Sequence, residues 1–210
     1  ALMERSFSAD PALAAAHAAE FIRSHRRHGV LTCLKHFPGH GSSRDDSHLG
    51  LTDVTRHWSE VELLPYQHLI SQGLCDMVMT AHTFNTALDP DYPATLSKAT
   101  IDGILRQRLG FKGVVVSDDL NMGAIVRHYS YETAMEKAIN AGVDLLLVLN
   151  DKPYRTDIVP RSIEILMNMV HQGRISPERI DQACGRIMLL KKLISARSTV
   201  STIPQGEQPS

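Results

Sequence analysis

Apolar and polar positions along the chain alternate between two periods, one helical and one extended. Over residues 10–28 apolar residues recur at helical spacing, with Asp10 placed to cap and Pro11 suited to the first helical position, which predicts a helix. "GVLTCLKHF" (29–37) is an apolar run of strand length that ends in charged residues. A second helix is predicted over 59–72, opened by Ser59, closed near Gly73 and kinked at Pro65. "CDMVMTAHT" (75–83) is the next strand-like run. The helix predicted over 97–109 begins at Ser97 and carries Ile101, Ile104, Leu105 and Leu109 on one face. "GVVVSDDL" (113–120) is the clearest strand, because three consecutive valines favour extended backbone and predict burial on both faces. A helix over 131–141 leads to "VDLLLVLN" (143–150), predicted as another fully buried strand. Helices over 157–172 and 177–195 follow, the second announced by Ser176 and Pro177. One domain is therefore expected over 1–196, with 197–210 as a disordered polar tail.

Strands that alternate with helices predict parallel βαβ units, an α/β fold. Each apolar run also ends in polar residues: Lys35 and His36, then His82, then Asp118 and Asp119, then Asn150. In a parallel (β/α)8 barrel of the TIM type that edge is where chemistry sits, because all the βα loops converge on one mouth. An open doubly wound sheet shows the same trend at its switch point, so the pattern speaks for α/β more than for the barrel. The four runs, set against the ~250 residues of an eight-stranded barrel, correspond to about the second half of one.

Composition narrows the function classes. The 210 residues carry a formal net charge of −1 and are 43% hydrophobic, as in an ordinary globular domain. Near-neutral charge gives no electrostatic reason to expect nucleic acid or an anionic membrane as partner. No apolar run approaches the ~20 residues that span a bilayer, and no secretory signal pattern opens the chain. A cytoplasmic location is expected. Cys33, Cys75 and Cys184 are odd in number and far apart, and their strand and helix flanks predict reduced core thiols.

The stretch "CLKHFPGHGSSRDDSHLG" (33–50) carries the chemistry. His36 and His40 stand four apart, but Pro38 and the flanking glycines rule out a helix that would pair them on one face. A barrel could still bring His36, His48, His82 and Asp118 together around a metal, as in a metal-dependent hydrolase. A phosphate loop fits poorly, because "GHGSSRD" lacks the required lysine. A plain polar loop is the bland alternative. Acid/base chemistry accounts for more of the residues. Asp46 lies two positions before His48, so on an extended segment both side chains share one face. The carboxylate would fix the tautomer of the imidazole and raise its pKa, leaving the other nitrogen to trade protons. Gly39 and Gly41 would let the loop fold over a ligand and withdraw. Asp118, at the end of the valine strand, is placed to be a nucleophile, while Asp119 reads equally well as a helix cap.

These residues resemble a known family. "KHFPGHG" followed by "DSH", together with "RSFSADP", "AHTFNTALDPDYPATLS" and "GVVVSDDLNMGAI", is similar in order and spacing to family 3 glycoside hydrolases of the bacterial β-N-acetylhexosaminidase type, over roughly residues 1–195. "KHF" alone also occurs in the related β-glucosidases, and the "DSH" triplet points to the N-acetylglucosaminidases. The resemblance implies a (β/α)8 barrel that needs no metal or other cofactor and acts on terminal β-linked N-acetylglucosamine, notably on muropeptides of cell-wall recycling. It implies that Asp118 is the nucleophile, His48 the general acid/base and Asp46 its dyad partner. Lys35, His36 and Arg5 would bind the sugar. The family carries roughly a further third of its chain ahead of this region, with other barrel walls and an acidic sugar-binding residue. A half barrel exposes two sheet edges, so pairing with a second copy is conceivable, and a sugar-binding remnant without activity is the alternative.

Overall fold

The computed structural model describes residues 6–43, 52–151 and 154–198. Helix α1, Pro11–Arg27, starts where Asp10 caps it: the Asp10 carboxylate accepts a hydrogen bond from the Leu13 amide at 2.8 Å. It buries Ala19 and Ile22 against Leu69 and Leu74. Strand β1, Cys33–Phe37, pairs in parallel with β3, Met77–Thr80, placing Cys33 opposite Met77. Strand β3 pairs in turn with β5, Val114–Val116, giving a sheet ordered β1-β3-β5. Between them lie α2, Leu64–Ser71, and a π-helix, Ala99–Arg108. A two-residue pair, β2 (Thr52–Asp53) with β4 (Thr83–Phe84), forms a second small parallel sheet. Sequence order is preserved across the main sheet, as is usual for consecutive parallel strands joined by short connections.

The run at 143–150 joins beside β5 through a parallel bridge, Val116 with Leu145. The Leu145 amide donates to Val115 O at 3.1 Å and the Ser117 amide to Leu145 O at 2.9 Å. This run is not fully buried, contrary to expectation. Leu145, Leu147 and Leu149 are 36%, 40% and 55% exposed, while Val143 is buried. Leu146 and Val148 between them are partly buried, and this alternation with Leu145, Leu147 and Leu149 marks a stretch with one exposed face. On β5 itself Val114 and Val115 are wholly buried, as the valine run predicts, and Val116 is partly covered.

Behind the sheet, Phe37, Val78, Val115, Ile101, Leu105 and Ala138 meet in one core. Helix α4, Tyr131–Ala141, supplies part of it; its cap is Ser130, whose hydroxyl accepts from the Thr133 amide at 3.1 Å. Helix α3, Gly123–Val126, is a single turn between β5 and α4. Helices α5, Ile158–His171, and α6, Pro177–Ser198, close the chain. Asp144, fully buried, accepts from Arg106 at 2.8 Å, Arg186 at 2.9 Å, Arg179 at 3.1 Å and the Val115 amide at 3.0 Å. That carboxylate ties the run at 143–150 to the π-helix and α6, while Arg106 and Arg179 also donate to backbone carbonyls of Gly113 and Ile139.

Three further expectations change. Pro65 does not kink a helix: residues Glu60–Leu63 form a 3₁₀ turn, and Pro65 falls in the first turn of α2, where a missing amide hydrogen loses nothing. Cys184 is exposed on α6, whereas Cys33 and Cys75 are partly buried. Helix α6 also runs through Ser198, into the segment expected as tail; residues 199–210 lie outside the described ones. No helix among the described residues is long and apolar enough to cross a membrane.

Candidate active site

Because the strands are parallel, their C-terminal ends share one edge of the sheet, where His36 meets Asp118 and His82 meets Asp119, whereas Asn150 is bonded to Arg155. His36 Nε2 lies 3.8 Å from Asp118 Oδ2, with the two side chains 11% and 20% exposed. At that separation the pair is electrostatic and not hydrogen-bonded. The other oxygen, Asp118 Oδ1, accepts from the Asp119 amide at 2.9 Å. A carboxylate with one oxygen held and the other turned toward a histidine is oriented for attack at a single point. Lys35 stands exposed beside His36 on β1.

The loop after β1 is clamped. The peptide bonds Lys35–His36 and Phe37–Pro38 are both cis. Pro38 O accepts from Trp58 Nε1 at 3.2 Å. Glu62 reaches across from the 3₁₀ turn: Oε2 accepts from the Gly41 amide at 3.0 Å and Oε1 from the Ser42 hydroxyl at 2.5 Å. His40 is buried, hydrogen-bonded to the Ser43 hydroxyl, and its ring meets that of His36 edge to face with centroids 5.6 Å apart. Neither Glu62 nor Trp58 was visible as a site residue in the sequence, because no spacing rule connects residues 20 positions apart in different elements.

Asp119 is not a helix cap. Its Oδ1 accepts from the Asn121 amide at 3.0 Å and the Leu149 amide at 2.7 Å, stitching the loop after β5 to the last strand. Its carbonyl oxygen lies 2.8 Å from His82 Nε2, and His82 Nδ1 lies 2.9 Å from Thr95 Oγ1. Burial pushes the His82 pKa below the ordinary histidine value, against the opposing pull of Asp119 and Asp118. With both ring nitrogens engaged, His82 has none left for a metal, and among the described residues no three His, Cys, Asp or Glu side chains cluster as a metal would need. Arg5, Asp46 and His48 lie outside the described residues.

A parallel βα sheet with a carboxylate and histidines at the C-terminal ends of its strands defines an α/β domain, and likeness to solved family 3 structures makes it a portion of a (β/α)8 barrel. The chain belongs to glycosyl hydrolase family 3: residues 1–190 match that family's N-terminal domain. It is 41% identical over 152 residues to a beta-hexosaminidase of Tolumonas auensis, covering 71% of this chain and 45% of that protein. A family 3 beta-N-acetylglucosaminidase from Paenibacillus sp. superposes with a TM-score of 0.84 at 37% identity, over 98% of this chain and 38% of that one. LpqI of M. tuberculosis gives a TM-score of 0.81 at 33% identity, over 90% of this chain and 56% of that one. The chain thus spans about half the length of the curated relatives it matches.

Proposed function

We propose that this chain carries the nucleophile and the acid/base loop of a retaining β-N-acetylhexosaminidase acting on terminal β-linked N-acetylglucosamine. The observation that carries the proposal is Asp118 at the sheet mouth, with Oδ1 held by the Asp119 amide and Oδ2 facing His36. In the first step Asp118 Oδ2 attacks the anomeric carbon while protonated His48 gives its proton to the leaving oxygen. In the second, neutral His48 takes a proton from water as that water attacks the same carbon, and Asp118 is released with configuration retained. Glycosidases commonly use two carboxyl groups. An imidazole in place of the acid keeps a second full anion away from the nucleophile, and Asp46 would hold its tautomer. Lys35, His36 and Arg5 would take the sugar hydroxyls. Muropeptides of cell-wall recycling are the proposed substrates, in the cytoplasm.

The test is release of chromophore from an aryl N-acetyl-β-glucosaminide by the full chain, beside Asp118→Ala and His48→Ala, with a chelator throughout. Expected are turnover that survives the chelator, none in Asp118→Ala, and a loss of roughly 100- to 10,000-fold in His48→Ala that grows as the leaving group worsens. Equal turnover in Asp118→Ala, or activity abolished by the chelator, overturns it. A second reading, sugar binding without hydrolysis, is favoured by one observation. The groove beside β1, lined by Phe7, Phe21, Lys35, His36 and His40 among others, is open and about 1480 Å³, larger than the ~300–1,000 Å³ of most ligand pockets. Binding of N-acetylglucosamine without any turnover would select it.

A further inference from the structure

We propose that His82 is a positioning residue: a buried imidazole whose Nε2–H holds the Asp119 carbonyl and thereby fixes the peptide that aims Asp118. This rests on the assignment of Asp118 as nucleophile. A carbonyl oxygen only accepts, so the 2.8 Å contact with Asp119 O places the hydrogen on Nε2. Nδ1 of a neutral ring is then an acceptor. Thr95 has one hydroxyl hydrogen and two acceptors in reach, His82 Nδ1 at 2.9 Å and Ala81 O at 2.8 Å. The Thr95 hydroxyl donates to Ala81 O, which also receives the Thr95 amide at 3.1 Å, and Thr95 Oγ1 stays within hydrogen-bond distance of Nδ1. Thr80 Oγ1 lies 2.8 Å from Thr95 Oγ1, a hydrogen bond between two hydroxyls. The result is a hydrogen-bonded chain linking Thr80, Thr95, His82 and the Asp119 carbonyl, with Thr80, His82 and Thr95 all buried.

What the chain holds is the residue adjoining the nucleophile. The Asp119 amide donates to Asp118 Oδ1 at 2.9 Å, and the Asp119 side chain is fixed by the Leu149 and Asn121 amides. With its carbonyl held by His82 as well, residue 119 is restrained at amide, side chain and carbonyl. Its amide hydrogen can therefore point only where Asp118 Oδ1 sits, leaving Oδ2 toward His36. A hydrogen-bonded chain whose members are all satisfied keeps one geometry, and misplacement of a reacting group by about 1 Å can lower a rate on the order of 100-fold.

Two substitutions separate this role from packing. In His82→Gln the side-chain amide nitrogen reaches the place of Nε2 and can donate to Asp119 O. In His82→Asn the nitrogen matches Nδ1 and falls short. Both bury an amide, so a purely structural histidine would suffer from either. On the full chain, two-bond 1H–15N spectra at neutral pH should show His82 with its hydrogen on Nε2 only. The 13C signal of the Asp118 carboxyl should keep its position in His82→Gln and move in His82→Asn. Where the chain turns over an aryl N-acetyl-β-glucosaminide, kcat should fall 10- to 100-fold in His82→Asn with KM unchanged, and recover in His82→Gln. An Asp118 signal that stays put in His82→Asn, or a His82 ring protonated on both nitrogens, overturns the proposal. Absence of turnover in the unsubstituted chain would count against the glycosidase reading, while the two spectra still decide the role of His82.

Discussion

Replacing Gly39 with alanine puts a methyl group into space that Glu62 already fills. Gly39 has φ of +132°, and a Cβ built there would lie 2.5 Å from Glu62 Oε2 and 2.6 Å from Glu62 Cβ. The conformation alone costs an L-residue about 1–3 kcal/mol. Forcing a methyl into occupied space adds about 1–3 kcal/mol, because Glu62 cannot withdraw without giving up the Gly41 and Ser42 hydrogen bonds. The sum is about 2–6 kcal/mol, a large share of the ~5–15 kcal/mol that holds a domain folded. Gly41 provides the control two residues on. A Cβ there meets Glu62 Oε2 at 3.6 Å, an ordinary contact, and no left-handed φ is involved. Gly41→Ala should thus be neutral or stabilising by about 0.4–1 kcal/mol through the unfolded chain. Urea unfolding followed by circular dichroism, with the m-values checked for equality, compares the two. A Gly39→Ala midpoint within about 0.5 kcal/mol of the unsubstituted chain, or a Gly41→Ala loss as large as that of Gly39→Ala, would refute the reasoning.

Asp144→Ala strands three arginines around an empty place and should cost about 3–5 kcal/mol, whereas Glu60→Ala breaks only an exposed pair with Arg108 and should change stability by less than about 1 kcal/mol; thermal melts of both check the contrast. Burial pushes the Cys33 thiol up to about 12 and the Cys75 thiol higher still, so at pH 8 a thiol reagent should modify exposed Cys184 quickly and the other two only after denaturation, counted by intact mass. The His82 pKa lies below its unfolded value of about 6.5, so the unfolded chain takes that proton first. Stability should fall as pH drops below about 6.5, by at most about 1.4 kcal/mol per pH unit from this group, and His82→Gln should remove that share of the slope measured by urea titrations.

The strand-forming runs were legible because four apolar stretches of strand length each ended in polar residues, and three of them formed named strands in the expected places. The cap at Asp10 follows from side-chain chemistry that acts over three residues. Exposure of Leu145, Leu147 and Leu149 was not legible, since an apolar run says that it prefers burial and not whether a neighbour is there to bury it. At the site, Lys35, His36, His82 and Asp118 were all marked by their place at strand ends. What escaped was the wiring: the partner of His82 on one side lies 13 residues away and on the other 37, and Glu62 grips a loop 20 and 21 residues back. Contacts of that range are set by the tertiary fold. The engagement of both His82 nitrogens by Thr95 and Asp119 was hidden from the sequence for the same reason.

The most direct test of the central claim is covalent trapping. A 5-fluoro glycosyl fluoride of N-acetylglucosamine, whose ring fluorine slows the second step more than the first, is incubated with the full chain and the product digested for mass spectrometry. The account predicts a gain of one sugar residue on the peptide "GVVVSDDL", at Asp118, and none in Asp118→Ala. A sugar carried by any other residue, or a chain that shows no adduct at all, would contradict it.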